Sequence, residues 1–444
     1  MIPGKPGAAE AVVHRLLARA VVLRPQETAA LLLGFTAFLS LLCAYYLLRP
    51  LRDAMGLVGG VGQLPWLFSA TFVSMLALVP VFGALTARLP PRRFVPLVYR
   101  FFALNILGFG ALFATGVQEV AVSRVFFVWL SVFNLFVISV FWSVMADGFS
   151  SEQGKRLFGF IAAGGTAGAL LGPALAAVLA VRFGVALLAL IAALLLEVAV
   201  QCLRRLQHAE SHGGKDGPPA GERLGGGILA GVTLIARDRY LLGIVVYLLL
   251  HSCASTLLYF EQGRIVAAGF ADTASRTRFF ALVDLCVSGL ALSLQLFGSA
   301  YVIRRAGVGV ALAVLPLATL AAFGALAAWP TVAVLGAVQV LRRSLDYALA
   351  RPARETLFTV VALGAKYKAK NVIDTVVYRG GDAVSGWLSA ALTALGLGFA
   401  GMGAAFAPAA VLWVGLSAWL SRRQARYAEE STTQRKEDHE PRIE

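Results

Sequence analysis

The sequence predicts an all-α membrane protein with twelve transmembrane helices in two six-helix halves. Three observations carry this. The 444 residues are 59% hydrophobic and only 14% charged, whereas a soluble domain is about half apolar and about a quarter charged. The apolar residues recur in runs of about 20, the length that crosses roughly 30 Å of hydrocarbon. The Lys and Arg residues gather between those runs and make no basic face.

The spans fall at 28–50, 64–87, 94–116, 120–147, 157–181, 184–203, 240–264, 277–300, 307–328, 331–351, 369–397 and 401–421. Tilt accommodates those longer than the bilayer requires. Residues 204–239 separate the bundle at 28–203 from the one at 240–421. They contain Gly213-Gly-Lys-Asp-Gly-Pro-Pro-Ala-Gly221, a flexible linker composition. Residues 1–27 include an apolar stretch, 11–23, interrupted by Arg15 and Arg19. With no Ala-x-Ala site after it, the stretch reads as an amphipathic helix on the inner membrane surface. The charged tail, 422–444, is expected to be disordered.

The positive charges set the orientation. With the N-terminus inside, the outer side holds Arg49, Arg52, Arg124, Arg182, Arg264, Arg276 and Arg278. Arg100 and Arg379 fall within spans, and the other 30 of the 39 Lys and Arg lie in the inner loops, both tails and the inner end of helix 10. Both termini and the 204–239 linker are therefore expected in the cytoplasm. The formal charge of +15 belongs to these inner loops. A nucleic-acid partner is not expected, because no basic surface with interleaved aromatics is present.

Catalytic and metal chemistry find no support either. The chain has no Gly-x-Ser-x-Gly, His-Glu-x-x-His or Gly-x-x-x-x-Gly-Lys-Ser/Thr pattern. His251 is alone among the spans, and one imidazole does not make a metal site. Neither enzyme activity nor a cofactor is expected. Cys43, Cys202, Cys253 and Cys286 lie in or beside apolar runs and read as buried thiols.

Charges placed inside apolar spans are the functional candidates, since they sit against water or a partner. Helix 1 ends in Arg49, Arg52 and Asp53, and helix 7 ends in Glu261 and Arg264. Asp284 lies about 10 Å by helical rise from one end of helix 8. In helix 10, Arg342 and Asp346 are four residues apart and share a face of an α-helix. They read either as a structural pair or as a functional one. In helix 11, Arg379 lies about 15 Å in from Ala369, flanked by Asp374, Gly380, Gly381 and Asp382. An Arg at that depth costs about 2.5–3.5 kcal/mol on insertion scales, so a substrate or gating role is expected there. The alternative is an internal pair with Asp382. Asn134 in helix 4 can bond a substrate or a neighbouring helix, and Trp142 reads as an interfacial anchor. The run Gly164-Gly-Thr-Ala-Gly168-Ala-Leu-Leu-Gly172-Pro173 carries the spacing that brings membrane helices close.

Several of these blocks resemble known families. Six and six helices about a long inner loop is the layout of the major facilitator superfamily. Gly83 to Arg93 resembles that superfamily's loop between helices 2 and 3, with Ala87 where an Asp is usual. Gly168 to Pro173 is similar to its antiporter motif. More specifically, Tyr46-Leu-Leu-Arg49-Pro-Leu-Arg52-Asp53 resembles the Leu-Arg-x-x-Lys-Asp signature of the ATP/ADP translocase family. Phe141-Trp142 with Glu152-Gln-Gly-Lys155-Arg156-Leu-Phe158-Gly159, Leu258-Tyr-Phe-Glu261, and Ile373-Asp374 with Arg379-Gly-Gly resemble three more of its blocks.

The resemblance implies a carrier of the bacterial inner membrane, with transport roles for Arg52, Glu261 and Arg379. Arg stands where that family has Lys in helices 1 and 11, and the serine of its helix-11 block is absent.

The expected function is alternating access by two halves around a site between helices 1, 4, 5, 7, 8, 10 and 11. Arg49, Arg52, Asn134, Glu261 and Arg379 would bind substrate. Asp53, Arg264, Asp284, Arg342, Asp346, Asp374 and Asp382 would couple or gate. The expected partner is a small anionic molecule, exchanged by a monomer in the lipid bilayer, such as a nucleotide or another phosphorylated metabolite. The charge balance equally permits a proton-coupled exporter of a drug-like or siderophore-like compound. A third reading is a membrane sensor or scaffold that moves nothing.

Overall fold

The computed structural model describes residues 23–88, 90–116, 119–211, 228–361 and 363–437. Nearly all of the expected surface helix at 11–23 and the glycine-rich centre of the linker lie outside them. Among the described residues all regular structure is helical.

The helices are α1 (Thr28–Met55), α2 (Leu64–Arg88), α3 (Pro91–Thr115), α4 (Glu119–Gly148), α5 (Ser151–Ser211), α6 (Ile228–Arg237) and α7 (Arg239–Gly269). There follow α8 (Thr273–Phe297), α9 (Ser299–Ala328), α10 (Val332–Leu345), α11 (Arg351–Leu357), α12 (Leu363–Val372), α13 (Tyr378–Ala394) and α14 (Phe399–Glu437). A π-helical segment, Asp346–Ala350, joins α10 to α11, and a second, Ile373–Val377, joins α12 to α13.

Nine described helices are long and apolar enough to cross a membrane. One of them, α5, is two helices joined at Gly184, whose φ of 72° suits a residue without a Cβ. It holds the fifth and sixth expected spans. The tenth and eleventh spans are the two rods that the π-segments interrupt. Helices α1, α2, α3, α5, α9 and α14 each carry an internal proline, which is common where neighbouring helices re-satisfy the freed carbonyls. Large apolar side chains such as Leu104, Phe183, Leu296 and Val411 point outward. That is the surface a lipid solvent selects, where a soluble protein would show a patch to be covered.

Local chemistry sets the helix ends. The Asp238 side chain accepts from the backbone N–H groups of Tyr240 and Leu241 at the start of α7, and Thr331 accepts from Val334 N–H at the start of α10, as N-caps do. Before α8, the Ser275 hydroxyl and backbone N–H bond to Asp272 and hold its carboxyl below the usual carboxylate range.

Two stretches expected to be irregular are helical. α5 runs through Ser211, and Ile228–Arg237 forms α6, so the linker is helical at both ends. The tail expected to be disordered from 422 continues α14 to Glu437. Its charges are spaced for a helix: the Arg423 guanidinium lies 4.8 Å from the Tyr427 ring centre, four residues on.

The chain forms two compact units. The first comprises Met1–Val58, Leu78–Ala220 and Asp272–Leu285, and the second Gly59–Ala77, Gly221–Ala271 and Cys286–Glu444. Each unit therefore takes one segment from the other half of the sequence.

In the first unit, α1 packs along α5 on the glycine face read from the sequence. A Cβ at Gly164 or Gly168 would stand 2.4 Å from the carbonyl oxygen of Phe35 or Leu39, and one at Gly172 would stand 2.7 Å from that of Cys43. Three glycines four residues apart thus meet three carbonyls four residues apart, and backbone touches backbone. Aromatic rings fill the space between α3 and α4, with Trp129 and Phe133 stacked at 5.5 Å and Phe102 and Phe126 edge-on to their neighbours. Trp142, expected as an interfacial anchor, packs edge-on against Phe38, Phe141 and Phe158.

In the second unit, α7 packs on α13, and α9 on α14. Buried hydroxyls tie the helices to one another: Tyr240 donates to the Leu357 carbonyl and Tyr247 to that of Leu312. Trp66 meets Trp387 edge-on at 4.8 Å, and Phe68 meets Tyr259 at 5.5 Å.

Candidate functional site

The polar groups of the first unit gather at both ends of α1. At its start Glu27, buried, accepts from Arg156 at 3.0 Å and from Gln153 at 3.1 Å. Sequence reasoning did not single out this network, although Lys155 and Arg156 stood in a resembling block.

At its other end, Arg52 donates to Asp53 at 2.7 Å and to the Ser131 hydroxyl at 3.3 Å, with its guanidinium 4.8 Å from the centre of the Phe127 ring. Arg49 Nε lies 3.7 Å from Asp284 Oδ2. The structure thus brings Arg49, Arg52, Asp53 and Asp284 into one unit. Asn134, on α4, is half-buried, and its Oδ1 has no hydrogen-bond partner among the described residues.

The second unit holds the other candidates on three rods. Along α7, His251, Ser252, Thr256, Glu261 and Gln262 are buried polar residues in an apolar helix. Positions 251, 255, 259 and 262 repeat at helical spacing, the one signal that would have revealed this face. Glu261 accepts from Arg264 at 3.0 Å, and Arg264 also donates to the Thr393 hydroxyl at 2.9 Å.

On the α12–α13 rod, Arg379 lies in the first turn after the π-segment. Its guanidinium is 3.8 Å from Asp382 and 6.0 Å from the centre of the Tyr378 ring. Asp382 also accepts from Ser252 of α7 at 2.6 Å. Asp374 falls within the π-segment, and its side chain lies outside the described set.

The α10–α11 rod departs from the expected pairing. Arg342 and Asp346 share an α-helical face, the Asp346 N–H bonding to the Arg342 carbonyl, yet their side chains do not pair. The π-segment opens at Asp346, and its i→i+5 repeat aligns Asp346 with Arg351 as well. The observed pair is Arg351 to Asp346 at 3.2 Å, while Arg342 donates to the Ser255 hydroxyl of α7. Beyond it, Glu355 takes Lys370 of α12 and lies 3.9 Å from Arg354. π-segments often mark functional positions, and here both border the charged residues of the second unit.

All four cysteines are free. Cys43 is buried as expected, but Cys286 is exposed.

Neither a protein-family model nor a curated protein sequence matches the chain. Solved structures do. A POT family transporter in complex with 5-aminolevulinic acid aligns at 10% identity and a TM-score of 0.62, over 89% of this chain and 96% of that one. A bacterial homologue of the iron transporter ferroportin, in an inward-facing state, aligns at 13% and 0.59, over 90% and 98%. The nucleoside transporter NupG aligns at 14% and 0.55, over 89% and 98%. At such identities the likeness is one of fold, and along nearly its whole length the chain shares the all-helical architecture of major facilitator transporters.

Proposed function

We propose that the chain is a secondary transporter that works by alternating access and exchanges an organic anion across the bacterial inner membrane. Transport rests on the fold, because the solved structures that share it are transporters named with different molecules. One names a nucleoside, one 5-aminolevulinic acid and one iron, so the architecture does not select a substrate.

The single observation that favours an anion is Arg379. Its side chain keeps 33% of its surface exposed beside the long contact to Asp382. A guanidinium so placed binds carboxylate or phosphate through two donors at once. The nucleotide form of the reading, and exchange as its mode, rest on the blocks that resemble ATP/ADP translocases.

The test is counterflow. Liposomes containing the full chain and preloaded with unlabelled nucleotide should take up labelled nucleotide, and empty ones should not. The buried carboxylates Asp53, Glu261, Asp284 and Asp346 favour a second reading, a proton-coupled exporter. Uptake that collapses under an uncoupler, without nucleotide counterflow, would select it.

A further inference from the structure

Arg342 is a buried cation that shares the charge of one carboxylate, Asp346, with Arg351 and Arg354. It is 5% exposed. Asp346, the carboxylate nearest in sequence, pairs with Arg351 across the π-segment. Asp382 takes Ser252 and Arg379. Among the described residues no carboxylate lies within ion-pair distance of Arg342. Its hydrogen-bond partner is the Ser255 hydroxyl, and its Nε has none. One helical turn before Ser255 stands His251, 3% exposed, whose Nδ1 also has no hydrogen-bond partner.

Three guanidiniums about one carboxylate leave the site short of negative charge, and a buried cation without a close counter-charge destabilises a fold, the more so in a membrane protein. One uncharged hydroxyl does not replace a carboxylate, and an unmade hydrogen bond at a buried donor adds to the cost. The arrangement makes physical sense if a ligand supplies the further negative charge.

We propose that Arg342, Ser255 and His251 form a seat for an oxyanion, the carboxylate or phosphate of the transported molecule. This rests on the anion reading above and deepens it. Arg342 supplies the charge and the forked donors. Ser255 orients the guanidinium and keeps an oxygen lone pair or its proton for the ligand. The imidazole offers a donor or an acceptor, which suits a phosphate that carries one proton.

The test is thermal unfolding of the purified full chain in detergent, at fixed ionic strength, with inorganic phosphate, acetate or a nucleoside triphosphate as the probe. At least one probe should raise Tm saturably, as a ligand of the native state does. Arg342→Gln should abolish that rise, and its ligand-free Tm should equal or exceed that of the wild type, because one of three cations about a single carboxylate has been removed. Ser255→Ala should weaken the same probe by about tenfold, the loss of one charge-assisted hydrogen bond.

A saturable rise that persists in Arg342→Gln would overturn the seat. So would the absence of any saturable rise in the wild type. A Gln variant that unfolds, or melts several degrees lower without ligand, would show that Arg342 serves the fold. Binding in detergent does not depend on turnover. Saturable binding without counterflow in liposomes would therefore keep this seat while removing the transport reading.

Discussion

Arg49 of α1 and Asp284 of α8 lie 3.7 Å apart, Nε to Oδ2, with the aspartate side chain only 3% exposed. They come from opposite halves of the sequence yet sit in one compact unit, because Asp272–Leu285 folds with the first. A carboxylate so buried is tolerable when a cation answers it, and removing one partner costs more than removing both. Asp284→Asn should lower stability by about 3–5 kcal/mol, and Arg49→Met with Asp284→Leu should recover much of that loss. Thermal unfolding of the four proteins in one detergent measures the cycle. Strictly additive losses would mean that the two side chains act separately.

The glycine face of α5 makes a second expectation. A Cβ at residue 168 would meet the Leu39 oxygen at 2.4 Å and the Cys43 nitrogen at 2.7 Å. Neither atom belongs to a flexible side chain. Gly168→Ala should therefore cost about 1–3 kcal/mol as overpacking, and Gly168→Leu more. Gly159, where nothing stands within 4 Å of a Cβ, should accept Ala with little effect. Equal melting temperatures for the 159 and 168 variants would contradict the close approach of α1 and α5.

Arg379 separates a transport role from a structural one. Arg379→Ala should abolish uptake in liposomes while the protein still inserts and melts within a few degrees of wild type. Arg379→Lys should keep the charge and lose the forked geometry, which leaves measurable but impaired uptake. A Lys variant as active as wild type would mean that charge alone suffices. An Ala variant that fails to insert would place the residue in the fold.

Orientation is tested by labelling. Cysteines introduced at Ser211, the last residue of α5, and at Ser431 in α14 should resist membrane-impermeant reagents in intact cells and react in lysed ones. The basis is the crowding of Lys and Arg in the loops assigned to the inside. Labelling of either position in intact cells would invert the topology.

The polar site was only partly legible before the fold was known. Residues 49, 52, 53, 261, 284, 342, 346, 379 and 382 stood out because charge inside an apolar run is conspicuous. The serines that answer some of them did not, since Ser131, Ser252 and Ser255 are ordinary in membrane helices. Pairings read from spacing within one helix held for Arg379 and Asp382, three residues apart in α13. They failed for Arg342 and Asp346, which keep α-helical spacing, because the π-segment that follows aligns Arg351 with the same carboxylate and Arg351 takes it.

The sequence by itself determined the solvent, the all-helical class and the glycine face. Each follows from a local property: the length of an apolar run, the density of charge, or a small residue at every fourth position. Which charges meet was decided only by tertiary structure. Asp284 is answered by Arg49 and Asp382 by Ser252, partners far away along the chain, while Arg342 has no carboxylate within reach among the described residues. In hydrocarbon a charge must find a partner wherever the packing places one. That placement depends on how whole helices bend, cross and exchange between the two units, which no local pattern records.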